Sequence, residues 1–185
     1  MLGINELKTG LTVKIDGNIY LIVGYQQVKP GKGASFVRVK LKNMLTDSLI
    51  DRTFRSSEKI EEAFVNERRV QYLYEAGGTY HFMDTETYDQ LTLGKEQMGD
   101  ASLFMKENMV ITLQEHDGQI LNVAPPMFVE LKVIETEPGL RGDTAKGGTK
   151  AAKVETGATI QVPLFVDVGN VLKIDTRTGT YVSRI

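Results

Sequence analysis

The chain has 185 residues, 41% apolar and 25% charged, enough for one to three globular domains with packed cores. It contains no cysteine, which excludes disulfides and thiolate catalysis and fits a reducing compartment. The net charge of −2 is uneven: residues 1–64 carry ten Lys/Arg against seven Asp/Glu, residues 65–126 four against ten, and residues 127–185 eight against seven. Attraction to nucleic acid is therefore expected locally, at the ends, and not for the molecule as a whole.

Met1-Leu2-Gly3-Ile4-Asn5-Glu6 carries no basic-then-apolar signal pattern, and no apolar run is long enough for a bilayer, so a cytoplasmic protein without a membrane partner is expected. Residues 11–64 then read as short strands broken by turns: Leu11–Ile15, a turn at Asp16-Gly17-Asn18, Ile19–Tyr25, a basic loop, Ser35–Leu45 and Ser48–Arg55. Only Ser57–Phe64 has a helical look. So short a sheet must close to hide its edges, and a small SH3-like barrel is expected.

The basic loop is Val28-Lys29-Pro30-Gly31-Lys32-Gly33-Ala34-Ser35-Phe36. Pro30-Gly31 suits the centre of a type II turn, with positive φ at the glycine. After it Val37, Val39 and Leu41 alternate with Arg38, Lys40 and Lys42, an apolar face against a cationic one. No acid occurs between Asp16 and Asp47. The pattern describes a cationic arm with Lys32 held out at its end, although a basic hairpin tip taken alone is as a rule solvated surface.

A second block opens near Val65. Arg69–Glu75 and Thr79–Asp84 flank Gly77-Gly78 as a hairpin, Asp89–Leu93 is a further strand, and Gly99–Glu107 suits a short helix capped by Asp100. Met109–Gln114 and Gln119–Val123 pair across His116-Asp117-Gly118, and Ala124-Pro125-Pro126 marks a boundary. In the third block Phe128–Glu135 leads through Glu137-Pro138-Gly139 into a polar loop ending near Lys153. Strands then follow at Ala158–Val162, Leu164–Val168, Val171–Asp175 and Thr180–Arg184. Similar length and strand rhythm suit two OB-like barrels, with no residue-by-residue repeat between them. The expectation is an all-β chain of three small barrels: 1–64 SH3-like, 65–126 and 127–185 OB-like.

Signatures of catalysis fail one at a time. In Gly142-Asp143-Thr144-Ala145-Lys146-Gly147-Gly148-Thr149 the glycine spacing is that of a phosphate loop, but Gly148 stands where the lysine is needed. Gly31-x-Gly33 lacks a third glycine and a helix. His81 and His116 are the only imidazoles, a poor zinc set without cysteine. Carboxylate pairs such as Asp84/Glu86 fit solvated strand faces better than acid/base pairs, and no nucleophile stands beside a base in motif context. An enzyme, a resident metal and a cofactor are not expected.

One further stretch is distinctive: Lys150-Ala151-Ala152-Lys153-Val154-Glu155-Thr156-Gly157-Ala158-Thr159-Ile160-Gln161-Val162-Pro163-Leu164-Phe165-Val166. It closely resembles the C-terminal signature of bacterial elongation factor P. Lys29-Pro30-Gly31-Lys32-Gly33 resembles the functional tip of that family, Gly142-Asp143-Thr144 its third-domain loop, and Tyr181-Val182-Ser183-Arg184 its ending. The likeness runs from the first strand to the C-terminus in order and length.

The resemblance implies three barrels in an L shape like a tRNA, the first of KOW type. It implies binding to both ribosomal subunits between the P and E sites and rescue of translation stalled at consecutive prolines. Lys32 would approach the acceptor end of the P-site peptidyl-tRNA, in many members after an enzyme has extended the lysine by β-lysylation or another amine-bearing group. Members with arginine at the tip carry a sugar; lysine here disfavours that branch. Lys29, Arg38, Lys40 and Lys42 would meet RNA phosphates, Gly31 and Gly33 would allow close backbone approach, and Gly142, Asp143 and Thr144 would contact the small subunit. Tyr181 and Arg184 are candidate further RNA contacts, Tyr181 being equally suited to the barrel rim. A monomer is expected. The rival reading is an OB-type binder of single-stranded RNA that stacks bases on Tyr72, Tyr74, Tyr80 and Phe82, but those aromatics lie in the acidic block. A third, a protein-interaction module, leaves the lysine arm without a purpose.

Overall fold

The computed structural model describes residues 1–29, 31, 33, 35–139 and 148–185. Among them the chain is all-β, with three curled sheets and one α-helix of four residues. The first sheet holds β1 (Leu2–Gly3), β2 (Thr12–Ile15), β3 (Asn18–Val28), β4 (Phe36–Asn43), β5 (Leu49–Arg55) and β6 (Lys59–Glu62) in the order β1-β6-β2-β3-β4-β5. The second holds β7 (Asn66–Ala76), β8 (Thr79–Asp84), β9 (Gln90–Gly94), β10 (Val110–His116) and β11 (Gln119–Ala124) in the order β11-β10-β7-β8-β9. The third holds β12 (Phe128–Thr136), β13 (Thr149–Val154), β14 (Thr159–Pro163), β15 (Val171–Asp175) and β16 (Thr180–Arg184) in the order β14-β13-β12-β15-β16. There β14 also lies against β16, so the sheet curls closed. No helix among the described residues is long and apolar enough to cross a membrane.

Four local expectations are corrected. Lys59–Glu62 is strand, not helix: Ile60 is buried between exposed Lys59 and Glu61, and the segment pairs with both β1 and β2. Period two wins over helical propensity because a free sheet edge is available. Thr149–Val154 is strand where a loop was expected, with Ala152 and Val154 facing the core. Residues 164–168 form turns and not a strand; Pro163 ends β14, and Phe165 and Val168 remain exposed. Finally, α1 (Lys95–Met98) runs into a 3₁₀ segment, Gly99–Phe104, with no side-chain cap from Asp100.

The chain divides into two compact units: residues 1–67 with 114–122, and residues 68–113 with 123–185. The first unit is built on Val13, Ile22, Val37, Val39, Leu41 and Phe54, all within the barrel. A smaller cluster joins Ile19, Ala63 and Leu121, so the tip of the β10–β11 hairpin belongs to this unit. There His116 Nδ1–H donates to the Phe64 carbonyl at 2.7 Å, and Gln114 donates to Glu67 at 2.9 Å.

In the second unit Val70, Tyr72, Phe82, Leu93, Ile111 and Leu113 are buried within the second sheet's part. Phe104, at the end of the 3₁₀ segment, enters the core of the third sheet beside Val129, Leu131, Ile160 and Leu172. Thr156 Oγ1–H donates to the Leu103 carbonyl at 2.5 Å, and Lys106 Nζ lies 3.3 Å from Glu155. Burial alone would raise the Glu155 carboxyl, but hydrogen bonds from the Lys132 N–H and from Lys106 outweigh it and hold the group below its ordinary range.

A turn recurs in all three sheets. After β4, Asn43 Oδ1 accepts from the N–H groups of Leu45 and Thr46, and Asp47 N–H donates to the Asn43 carbonyl. After β8, Asp84 Oδ1 accepts from Glu86 and Thr87, and Tyr88 N–H donates to the Asp84 carbonyl. After β15, Asp175 Oδ1 accepts from Arg177, and Gly179 N–H donates to the Asp175 carbonyl. The left-handed residue is Asp47, Tyr88 and Gly179 in turn, with φ of 57°, 63° and 66°. All three turns share the sequence Asn/Asp-x-x-Thr followed two residues later by Ser, Asp or Thr.

Candidate functional site

β3 and β4 form the arm. Their register pairs Val28 with Phe36, Gln26 with Arg38, Gly24 with Lys40 and Leu21 with Lys42, with a bulge between Ile22 and Gly24. On the far side β5 sets Arg55 opposite Phe36, Thr53 opposite Arg38, Asp51 opposite Lys40 and Leu49 opposite Lys42. Directly opposed residues share a face, as do residues two apart along a strand. The inner face of β4 is therefore Val37, Val39 and Leu41, all 0% exposed, and its outer face carries Arg38 and Lys40 in solvent with Lys42 half-buried. Gly24 sits close to β4: a Cβ on it would lie 3.1 Å from Lys40 Cβ, a tight contact that Lys40 would have to yield to.

The outer cations are not equivalent. Lys42 Nζ is 2.7 Å from Asp47, and Lys40 faces Asp51. Arg38, nearer the loop, faces only Gln26 and Thr53. Positive charge without an acidic cross-strand partner thus collects toward the loop end, where Lys29 is also exposed. The sequence reading missed Arg55. Its signal was alternation along Ser48–Arg55, which puts Asp51, Thr53 and Arg55 on one face, but its place beside Phe36 needs the β4–β5 register.

Seven residues, 29–35, separate Val28 from Phe36. Pro30 and Lys32 lie outside the described residues, as do Gly142, Asp143 and Thr144. Gly31 and Gly33 are exposed, and positive φ falls on Gly33 (119°) and not on Gly31, where the type II turn placed it. Tyr181 packs against the core of the third sheet. Arg184 stands 5.2 Å from the centroid of the exposed Phe165 ring. Gly139 approaches the Leu164 carbonyl so closely that a Cβ would sit 2.6 Å from its oxygen.

The aromatics of the acidic block do not form a free stacking platform. Tyr72 and Phe82 are buried at 8% and 0% exposure, their ring centroids 5.5 Å apart. Burial pushes the Tyr72 hydroxyl upward, with Tyr80 and Glu75 adding to it. Tyr74 stacks on His81 at 4.4 Å. The two imidazoles are thereby occupied in separate places, His81 on Tyr74 and His116 on the Phe64 carbonyl.

Comparison with known proteins matches three successive segments of the chain. Residues 3–60 match the family described as Elongation factor P (EF-P) KOW-like domain. Residues 65–123 match its OB domain, and residues 129–184 match Elongation factor P, C-terminal. Matches to elongation factor P domains along the chain make it a translation elongation factor. A solved structure described as eukaryotic translation initiation factor 5A from Methanococcus jannaschii superposes with a TM-score of 0.54 at 26% identity, covering 66% of this chain and 92% of that one. Elongation factor P of Thermoanaerobacter sp. is 52% identical over 185 residues, and that of Moorella thermoacetica 54% over 184, each comparison covering 100% of both chains. The chain belongs to the elongation factor P family.

Proposed function

We propose that the chain binds the ribosome between the P and E sites and speeds peptide-bond formation at consecutive prolines by holding the P-site peptidyl-tRNA in reactive geometry. The observation that carries this reading is the arm, whose solvent face becomes more freely cationic toward the seven residues that contain Lys32. Family membership agrees with it. Proline is a stiff, slow substrate in both roles, so fixing the ester relative to the attacking amine lowers the entropic part of the barrier without an acid or base from the protein. Lys32 donates beside the terminal adenosine, and an enzymatic amine-bearing extension lengthens its reach. Lys29, Arg38 and, more weakly, Lys40 and Lys42 meet phosphates. Gly142, Asp143 and Thr144 meet the small subunit, with Arg184 as a further contact. The factor is no enzyme, acts as a monomer in the cytoplasm and has no membrane partner.

Reconstituted translation of a message encoding consecutive prolines tests this, with factor purified from its own cells. Wild type is expected to relieve the stall and Lys32→Ala to give no relief. Equal relief by both would show that binding suffices without the lysine, and no relief by either would sink the stall-rescue reading.

A further inference from the structure

We propose that the outer face at the base of the tip loop is a seat for one unpaired nucleotide, its base against Phe36 and its phosphate held by Arg55 and Arg38. The proposal rests on the reading above that the arm meets RNA, and it adds two residues, Phe36 and Arg55, to the arm's contacts.

Three observations converge there. Val28, Phe36 and Arg55 form one cross-strand row, and Gln26, Arg38 and Thr53 form the next row on the same face. Between the rows lies an apolar cleft of about 220 Å³ lined by Ser35, Phe36, Thr53 and Arg55. Clefts that enclose a whole small molecule run to roughly 300–1,000 Å³, so this one suits a single planar ring whose remainder stays outside. Third, among the described residues no acid lies directly opposite the cations beside it. Arg55 is opposite Phe36 and Arg38 is opposite Gln26 and Thr53, whereas Arg52, on the other face of β5, is 2.9 Å from Asp16.

An apolar floor with an aromatic ring calls for a flat apolar group, and two cations with no acid directly opposite them call for an anion within a side chain's reach of it. A nucleotide in a single strand supplies both: the base stacks, the phosphate pairs, and stacking tolerates any base because each has a π-face. A duplex would offer the phosphates but no free base. The seat therefore distinguishes an unpaired end from a helix without reading its sequence.

The test uses the full-length protein and two hairpin RNAs, one with a single-stranded 3′ tail and one whose tail nucleotides are abasic, so that phosphates stay and bases go. Wild type is expected to bind the intact tail about tenfold more tightly, within the range for one base on one aromatic ring. Phe36→Leu keeps an apolar side chain and removes the π-face, and should bind both RNAs alike, at the abasic value. Arg55→Gln, at an exposed position, should weaken both equally and lower the salt slope by about 0.7. Thermal melts of each variant check folding, and should Phe36→Leu fail to fold, the Arg55 variant and the wild-type comparison carry the test. The seat is overturned if wild type binds both RNAs equally, or if Phe36→Leu discriminates as wild type does. Stall relief measured on the same wild-type protein is a separate readout: relief without tail discrimination removes only the seat, and discrimination without relief removes only the translational reading.

Discussion

Two hairpins in this chain begin alike and end differently. β3 and β7 each have eleven residues, and each is bulged, between Ile22 and Gly24 in one and between Tyr72 and Tyr74 in the other. The second closes at once through Gly77 and Gly78, φ 60° and 81°, with Gly78 N–H donating to Glu75 at 2.6 Å. The first holds its ladder to Val28 and Phe36 and then opens into seven residues. Near its turn the closed hairpin presents Glu75 and the Tyr74–His81 stack, while the open one presents Lys29 and Arg38, with Arg55 of the neighbouring β5 beside Phe36. A long bulged hairpin is thus a structural device in both places, and what it does depends on how its end is finished.

The largest effect comes from giving the first hairpin the second one's ending. Val28 and Phe36 are directly opposed, so Gly-Gly in place of residues 29–35 can close the ladder with a two-residue turn. Stall relief should be lost completely while the melting temperature stays within a few degrees of wild type. Retained relief would show that the loop is not the working end.

Next come the aromatics that distinguish the second hairpin. Phe82 is 0% exposed, so Phe82→Ala should cost about 3–5 kcal/mol in urea unfolding. Tyr74 is 48% exposed and stacked on His81, and Tyr74→Ala should cost no more than about 1 kcal/mol. Comparable losses would mean that the exposed stack is structural as well.

Most of this contrast was legible in the sequence. The β4 alternation, the Gly77-Gly78 turn and the all-β class follow from period two and turn chemistry. What was hidden is non-local. Arg55 joins the arm only through the β4–β5 register, and Phe104 enters the third sheet's core from a 3₁₀ segment of the second block, which no local pattern announces. Residues 164–168 misled because an apolar run looks like a strand, whereas Pro163 removes a ladder donor and Gly169 takes φ of 90°. The tip lysine itself was singled out by sequence and resemblance.

A smaller effect separates the arm's own cations. Arg38→Gln should lower the salt slope of ribosome binding by about one, and Lys42→Gln by less, because Lys42 is already paired with Asp47 at 2.7 Å. Equal slopes would mean that Lys42 leaves Asp47 on binding.

The smallest lies at the other end of the hairpins, where the same turn is built with Asn43 after β4 and with Asp84 after β8. Both side chains are nearly buried and both accept two backbone N–H groups, but only one ionises. The N–H groups of Thr87 and Glu86 hold the Asp84 carboxyl below its ordinary range, with Arg68 at 3.0 Å adding to them. A carboxyl lowered on folding contributes stability that is present above its unfolded pKa, about 3.9, and is lost as pH falls through the folded value. Asp84→Asn copies the first hairpin's solution and keeps an oxygen for the turn. Its unfolding free energy should fall slightly at pH 7, where Arg68 loses its ion pair, and should decline less steeply than wild type below about pH 4. Asn43→Asp should do the reverse and add acid sensitivity to the first hairpin. Parallel acid limbs for wild type and Asp84→Asn would mean that the carboxylate's charge is idle and that the two turns differ in name only.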